Sequence, residues 1–184
     1  MEFVFPSFAI VMKVGPHNGM SLKEIIESKH AEEDRNGVHY WGYSGTLSHP
    51  NRVLKFITYV ISLQNSPPEL LLLQTNSYYN SPIGKIKSFS RDNNTYEQFN
   101  GPVQLQGAQY SFVCRNLRRV DSEFLLDYYC VIGGKKDGEP LSKYLHHRVN
   151  KAFVRKYSGP PSPYKSRLIY SAQLVEPYVL WLKE

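Results

Sequence analysis

Within the fourteen residues Gly37 to Pro50 lie three glycines, three aromatic rings (Tyr40, Trp41, Tyr43), two imidazoles (His39, His49) and three hydroxyl side chains (Ser44, Thr46, Ser48). Glycines let a backbone approach a ligand closely, Tyr and Trp offer flat faces for stacking, and a helix N-terminus presents unpaired N–H groups to an anion. Ser48 and Pro50 mark the first turn of such a helix. Together these devices would hold a phosphate beside a stacked ring. The alternative is an aromatic surface loop that merely tucks its rings under the helix.

A second junction has the same composition. Gly15-Pro16-His17-Asn18-Gly19 precedes another helix start. If the two ends converge, His17, Asn18, Ser48 and His49 surround a phosphodiester while Tyr40, Trp41 or Tyr43 stacks on a base. Lys143, His147, Lys151 and Arg155 recur every fourth residue, so on a helix spanning about Pro140 to Tyr157 they form a basic stripe. Cations at that spacing repel one another unless something compensates them. An anionic ligand is one answer, and an ordinary solvated lysine face is the other.

His17, His39, His49 and His147 could serve as general acids or bases. The chain nevertheless lacks H-E-x-x-H, G-x-S-x-G, a Walker loop and G-x-G-x-x-G after a strand. Cys114 and Cys130 sit in apolar strand-like runs without C-x-x-C spacing, which fits buried reduced thiols better than a metal site or a disulfide framework. No cofactor and no metal site is expected. Binding without turnover is the simpler account. A histidine-dependent nucleotide hydrolase or transferase, with His17 or His49 as acid or base, is the catalytic alternative.

The positioning elements follow from local pattern. Phe8 to Val14 reads as a strand stopped by Gly15-Pro16, and Ser21-Leu22-Lys23-Glu24 is a capping box opening a helix over about residues 21 to 35. Its acidic residues Glu27, Glu32, Glu33 and Asp34 read as a solvated face. Val53, Leu54, Phe56, Ile57, Val60 and Ile61 define a core helix closed by Asn65-Ser66-Pro67-Pro68, and Glu69 to Thr75, with four consecutive leucines, reads as a central strand buried on both faces. Residues 76 to 109 are polar and tyrosine-rich, an expected mobile insertion with one short strand from Ile83 to Phe89. In it Tyr78, Tyr79, Arg91, Tyr96 and Phe99 form either a second contact set or a ligand-free surface loop. Tyr110 to Val120 and Phe124 to Ile132 pair as a hairpin across Asp121-Ser122. Beyond the stiff Ser158 to Pro163 linker, Arg167 to Trp181 supplies one or two closing strands. This order predicts a single α+β domain over residues 1–184, a mixed and partly closed sheet or barrel with about three helices packed outside.

Charge narrows the partner. Residues 1–100 carry nine Lys/Arg and nine Asp/Glu, whereas residues 101–184 carry thirteen against seven, so the whole net charge of +6 lies in the C-terminal part. Such asymmetry favours a nucleotide, a nucleic acid or another polyanion. No apolar stretch is long enough to span a bilayer and the first residues lack the pattern of a signal peptide, so no membrane partner and a cytoplasmic setting are expected.

The size, the mixed α+β pattern and a site combining stacking aromatics with helix N-termini resemble small phage-encoded proteins that sequester nucleotide immune signals. That resemblance implies an anti-defence sponge for a cyclic (oligo)nucleotide. In topology alone the chain is also similar to barrel modules that read modified bases. Neither resemblance transfers individual residues. The expected function is therefore sequestration of a phosphorylated nucleotide-type small molecule, with a single-stranded or modified nucleic-acid binding module as the alternative. Apolar Leu168 to Trp181 is covered either by the same chain or by a second copy in a homodimer.

Overall fold

The computed structural model describes residues 2–45, 49–76, 84–105, 107–145, 150–160 and 162–184. The elements run β1 (Phe8–Val14), α1 (Leu22–Asn36), β2 (His39–Tyr43), α2 (Pro50–Gln64), β3 (Glu69–Gln74), β4 (Ser88–Ser90), β5 (Tyr96–Gln98), β6 (Tyr110–Leu125), β7 (Tyr129–Val131), α3 (Leu141–Tyr144), β8 (Lys151–Lys156) and β9 (Lys165–Lys183). This is an α+β fold. The nine strands form one mixed sheet in the hydrogen-bonded order β2-β6-β9-β3-β1-β8-β7, with β4 joined to β9 and β5 to β4. The sheet is not closed, within the expected mixed, partly closed arrangement.

The chain divides into two compact units, each assembled from separate segments. Unit 1 comprises residues 1–14, 68–75 and 118–172, and unit 2 comprises residues 15–67, 76–117 and 173–184. In unit 1, β1 pairs parallel with β3 and antiparallel with β8, which pairs in turn with β7. Leu70, Leu71, Leu72 and Leu73 are all buried, as expected for a strand covered on both faces. Ala9, Val11, Leu71, Leu73, Ala152, Val154, Leu168, Phe124 and Tyr129 form one core, closed by Leu141 and Leu145 around α3.

In unit 2, β2 pairs antiparallel with the first half of β6, and Tyr40, Val113, Leu105 and Leu180 form a core with Phe99 and Val38 packed against it. Both longer helices have the ends that local sequence dictates. α1 carries the full Ser21–Glu24 capping box and ends at Gly37 in the left-handed region, and α2 starts at Pro50 and ends at left-handed Asn65. Among the described residues no helix is long and apolar enough to cross a membrane.

Two expectations from pattern fail, each because long-range pairing overrides a local signal. The helix from Pro140 to Tyr157 is reduced to α3, and Lys151 to Lys156 is β8, whose Ala152 and Val154 alternate into the unit 1 core. The hairpin across Asp121-Ser122 does not form. β6 continues through Asp121, whose φ of 57° is absorbed as a kink within the strand, and β7 pairs with β8 instead. Arg167 to Trp181, expected as one or two closing strands, lies in one strand, β9, interior to the sheet between β6 and β3.

Candidate functional site

The polar groups of unit 2 converge beneath α1. Its buried face reads Ile25, Ile26, Lys29, Glu32, one helical stripe in which an ion pair replaces two apolar residues. Lys29 Nζ donates to both Glu32 carboxylate oxygens at 3.0 and 3.2 Å and to the Gln104 carbonyl at 3.2 Å. Glu32 also accepts the backbone N–H groups of Tyr40 (3.0 Å) and Gln104 (3.2 Å). A buried charge is tolerable only when paired and fully hydrogen-bonded, and this pair meets that condition. Burial pulls the Lys29 pKa down while Glu32 opposes the shift, and the ammonium lies 5.5 Å over the Trp41 ring.

Glu33, the next residue, reaches the other strand. It accepts Asn116 N–H at 2.6 Å and Leu117 N–H at 3.3 Å, where Asn116 holds a left-handed φ of 54° in β6. Its second oxygen lies 2.8 Å from His39 Nδ1. Burial resists ionisation of Glu33, but the two N–H groups and His39 outweigh it and lower its pKa. Burial pushes His39 down to about 4 against the pull of Glu33, with Lys29 and His30 adding to the lowering. The carboxylate is therefore charged and the imidazole neutral at neutral pH. Nδ1 must donate, which leaves the lone pair on Nε2.

A carboxylate that orients a neutral histidine is the arrangement of a general base. His39 is fully buried, however, and Nε2 meets no hydrogen-bond partner among the described residues. Cys114, opposite His39 in the β2–β6 register, is equally buried, and burial drives its thiol pKa up. Of the dyad, His39 is buried and Glu33 is partly exposed. The dyad ties α1 to both strands, and the solvated-face reading of Glu32 and Glu33 is corrected accordingly.

The expected site residues take these positions. Tyr40, Trp41 and Tyr43 lie on β2, not in a loop, and their rings are buried. Tyr43 stacks on Phe112 at 4.4 Å, Tyr40 meets Phe99 edge-on at 5.0 Å, and Trp41 meets His39 edge-on at 6.2 Å. The tucked-ring alternative describes them, carried further into the core. His17 and Met20 exchange backbone hydrogen bonds across a tight turn in which Asn18 and Gly19 both have positive φ, the hairpin role of an Asn-Gly pair. The α1 N-terminus is already occupied by Glu24, whose carboxylate accepts Ser21 N–H at 2.7 Å.

At the α2 N-terminus His49 Nδ1 accepts Asn51 N–H at 3.2 Å, and the His49 ring lies 5.6 Å from Tyr110, itself 5.6 Å from Tyr43. Ser44 Oγ donates to the Gly107 carbonyl at 3.2 Å. Thr46, Ser48 and His147, like Tyr78 and Tyr79, lie outside the described residues. In unit 1, Lys143 is exposed on α3, whereas Lys151 and Arg155 share one face of β8 about 13 Å apart along the strand. The helical stripe is thus corrected to two separate placements. Burial lowers the Lys151 pKa.

Among the described residues no group of three or more His, Cys, Asp or Glu side chains is placed to hold a metal ion. The chain matches no protein-family model, no curated protein and no solved structure. Two features escaped sequence reasoning. The Lys29–Glu32 spacing of three was a visible hint of a pair, but nothing local marks it as buried. The other is a pair of exposed tyrosines in unit 1, Tyr128 and Tyr164, which patterning had assigned to strand and linker surroundings.

Proposed function

We propose that this protein is a non-enzymatic binder of a phosphorylated nucleotide-type ligand, of the kind of a cyclic (oligo)nucleotide signal, and that it binds through unit 1. The observation that carries this reading is the segregation of charge by unit. Unit 1 holds twelve Lys/Arg against seven Asp/Glu, whereas unit 2 holds ten against nine, so +5 of the net +6 belongs to unit 1. Arg118, Arg119, Lys143, Lys156, Lys165 and Arg167 are exposed there. Arg118, Arg119, Lys165 and Arg167 also meet Glu69, Asp121 or Glu123, and the net excess of positive charge raises the local concentration of anions and speeds their association.

Two further points favour binding over turnover. His39, the base of the pair with Glu33, is buried in unit 2 and its Nδ1 is engaged by Glu33, and the Cys114 thiol is held protonated there. The test is calorimetry of the full chain against mononucleotides, dinucleotides and cyclic oligonucleotides, followed by chromatography of the ligand after denaturation. Micromolar binding with intact ligand recovered supports sequestration. Absence of binding to every member of the panel removes the reading, and recovery of cleaved ligand replaces it with the hydrolase alternative.

A further inference from the structure

We infer that unit 1 takes single-stranded nucleic acid, with Tyr128 and Tyr164 as stacking faces and Lys143, Lys156 and Lys165 as phosphate contacts. This rests on the reading of unit 1 as the anion-binding surface and names the ligand class for it. The tyrosines are 54% and 61% exposed, far more than a ring needs to be if its only role is packing. Their neighbour Tyr129 shows the contrast: it is fully buried, stacked on Phe124 at an interplanar angle of 3° and donating to the Pro6 carbonyl at 2.6 Å.

Tyr128 ends the 3-10 turn Leu126–Tyr128, and Tyr164 is tied to the same turn through its backbone. Leu126 N–H donates to the Tyr164 carbonyl at 3.0 Å, and Tyr157 N–H donates to the Tyr128 carbonyl at 2.7 Å. Asp127 Oδ1 accepts Ser142 N–H at 2.9 Å, which brings the first turn of α3 to the same place. Each of these tethers delivers a lysine. Lys165 follows Tyr164, Lys156 pairs with Tyr129 in the β7–β8 register, and Lys143 follows Ser142.

Two carboxylates lie within the cluster. Asp127, partly buried, accepts from Ser142 and lies near enough to Lys143 to interact with its charge, and Glu123 meets Lys165 at 3.2 Å with both side chains more than half exposed, a pair that water and salt screen heavily. Lys156 has no ion-pair partner among the described residues. Exposed rings on backbone tied to one turn, in a positive field, are the elements of single-strand recognition: bases stack on the rings irrespective of sequence and the cations follow the backbone. A duplex keeps its base faces covered, and a mononucleotide uses one ring of the two.

The test is fluorescence polarisation of the full chain with a labelled ten-nucleotide oligothymidylate, the same length of abasic deoxyribose phosphate, and a duplex, at low and moderate salt. Tyr128→Ala and Tyr164→Ala should each weaken oligothymidylate binding about tenfold and leave abasic binding unchanged, while the Phe variants retain it. Lys156→Glu should weaken both strands. If the alanine variants bind oligothymidylate as the parent does while Lys156→Glu weakens it, the inference is overturned and the anion-surface reading survives. If no strand binds, or the lysine variant leaves every probe unaffected, the inference is overturned, and the nucleotide panel alone decides the broader reading.

Discussion

His39 donates through Nδ1 to Glu33 at 2.8 Å, from a position with no solvent exposure, and this contact joins helix α1 to strand β2. Burial lowers the His39 pKa from its ordinary 6.5 to about 4, so between those values the unfolded chain binds a proton that the folded chain refuses. The stabilisation is complete above about pH 6.5 and is lost as the pH falls toward 4, amounting to on the order of 3 kcal/mol. Glu33, with a lowered pKa of its own, adds a loss of the same sign at lower pH. Urea unfolding at pH 7 and pH 4 should therefore show the stability gap between the parent and His39→Gln shrinking on acidification. A gap independent of pH would contradict the assignment of a neutral buried imidazole.

Glu32 serves Lys29 and two backbone N–H groups, so its removal strands two backbone donors and leaves the Lys29 ammonium without its counter-charge and with the Gln104 carbonyl alone, whereas removal of Lys29 leaves Glu32 still holding two. Glu32→Leu should cost about 3–5 kcal/mol, and Lys29→Met less. Chemical denaturation gives the order. Equal costs would mean that the backbone contacts contribute little.

Gly42 lies in the stretch that reads from sequence as a place where a ligand approaches the backbone. A Cβ there would instead meet Ala108 Cβ at 2.8 Å and Leu105 Cδ2 at 3.0 Å. The missing side chain is filled by this chain's own core. Gly42→Ala should destabilise the fold by about 1–3 kcal/mol through overpacking, visible as a lowered thermal midpoint.

Cys114 and Cys130 are both free and buried. Thiolate is the reactive species, and burial keeps the Cys114 thiol protonated. A thiol reagent at pH 8 should label neither cysteine in the native protein and both after denaturation. Rapid native labelling of Cys114 would show that the α1 layer opens readily.

β1, α1, α2 and β3 were legible because their signals are local. Ser21 and Glu24 cap α1 from within one turn, Gly15-Pro16 ends β1, and the four leucines of β3 need no knowledge of neighbours to read as a doubly buried strand. The charge imbalance is likewise a property of composition, and it was visible from the sequence that positive charge accumulates after residue 100.

Only the tertiary structure decided where the aromatic and charged side chains point. Tyr40, Trp41 and Tyr43 have the composition of a binding loop, but pairing with β6 makes them a strand, and rings on a strand are exposed or buried according to what covers each face. Phe99 and Leu105, some sixty residues away in sequence, pack against Tyr40, and Lys29 from α1 lies over Trp41. Lys151 and Arg155 fit a helical spacing of four and a strand spacing of two equally well, and pairing with β1 selected the strand. Tyr128 and Tyr129 are adjacent and identical in type, yet one faces solvent and the other the core. Residue type sets the free energy of burying a side chain, but which side chains are buried depends on partners that are distant in sequence, and local pattern carries no record of them.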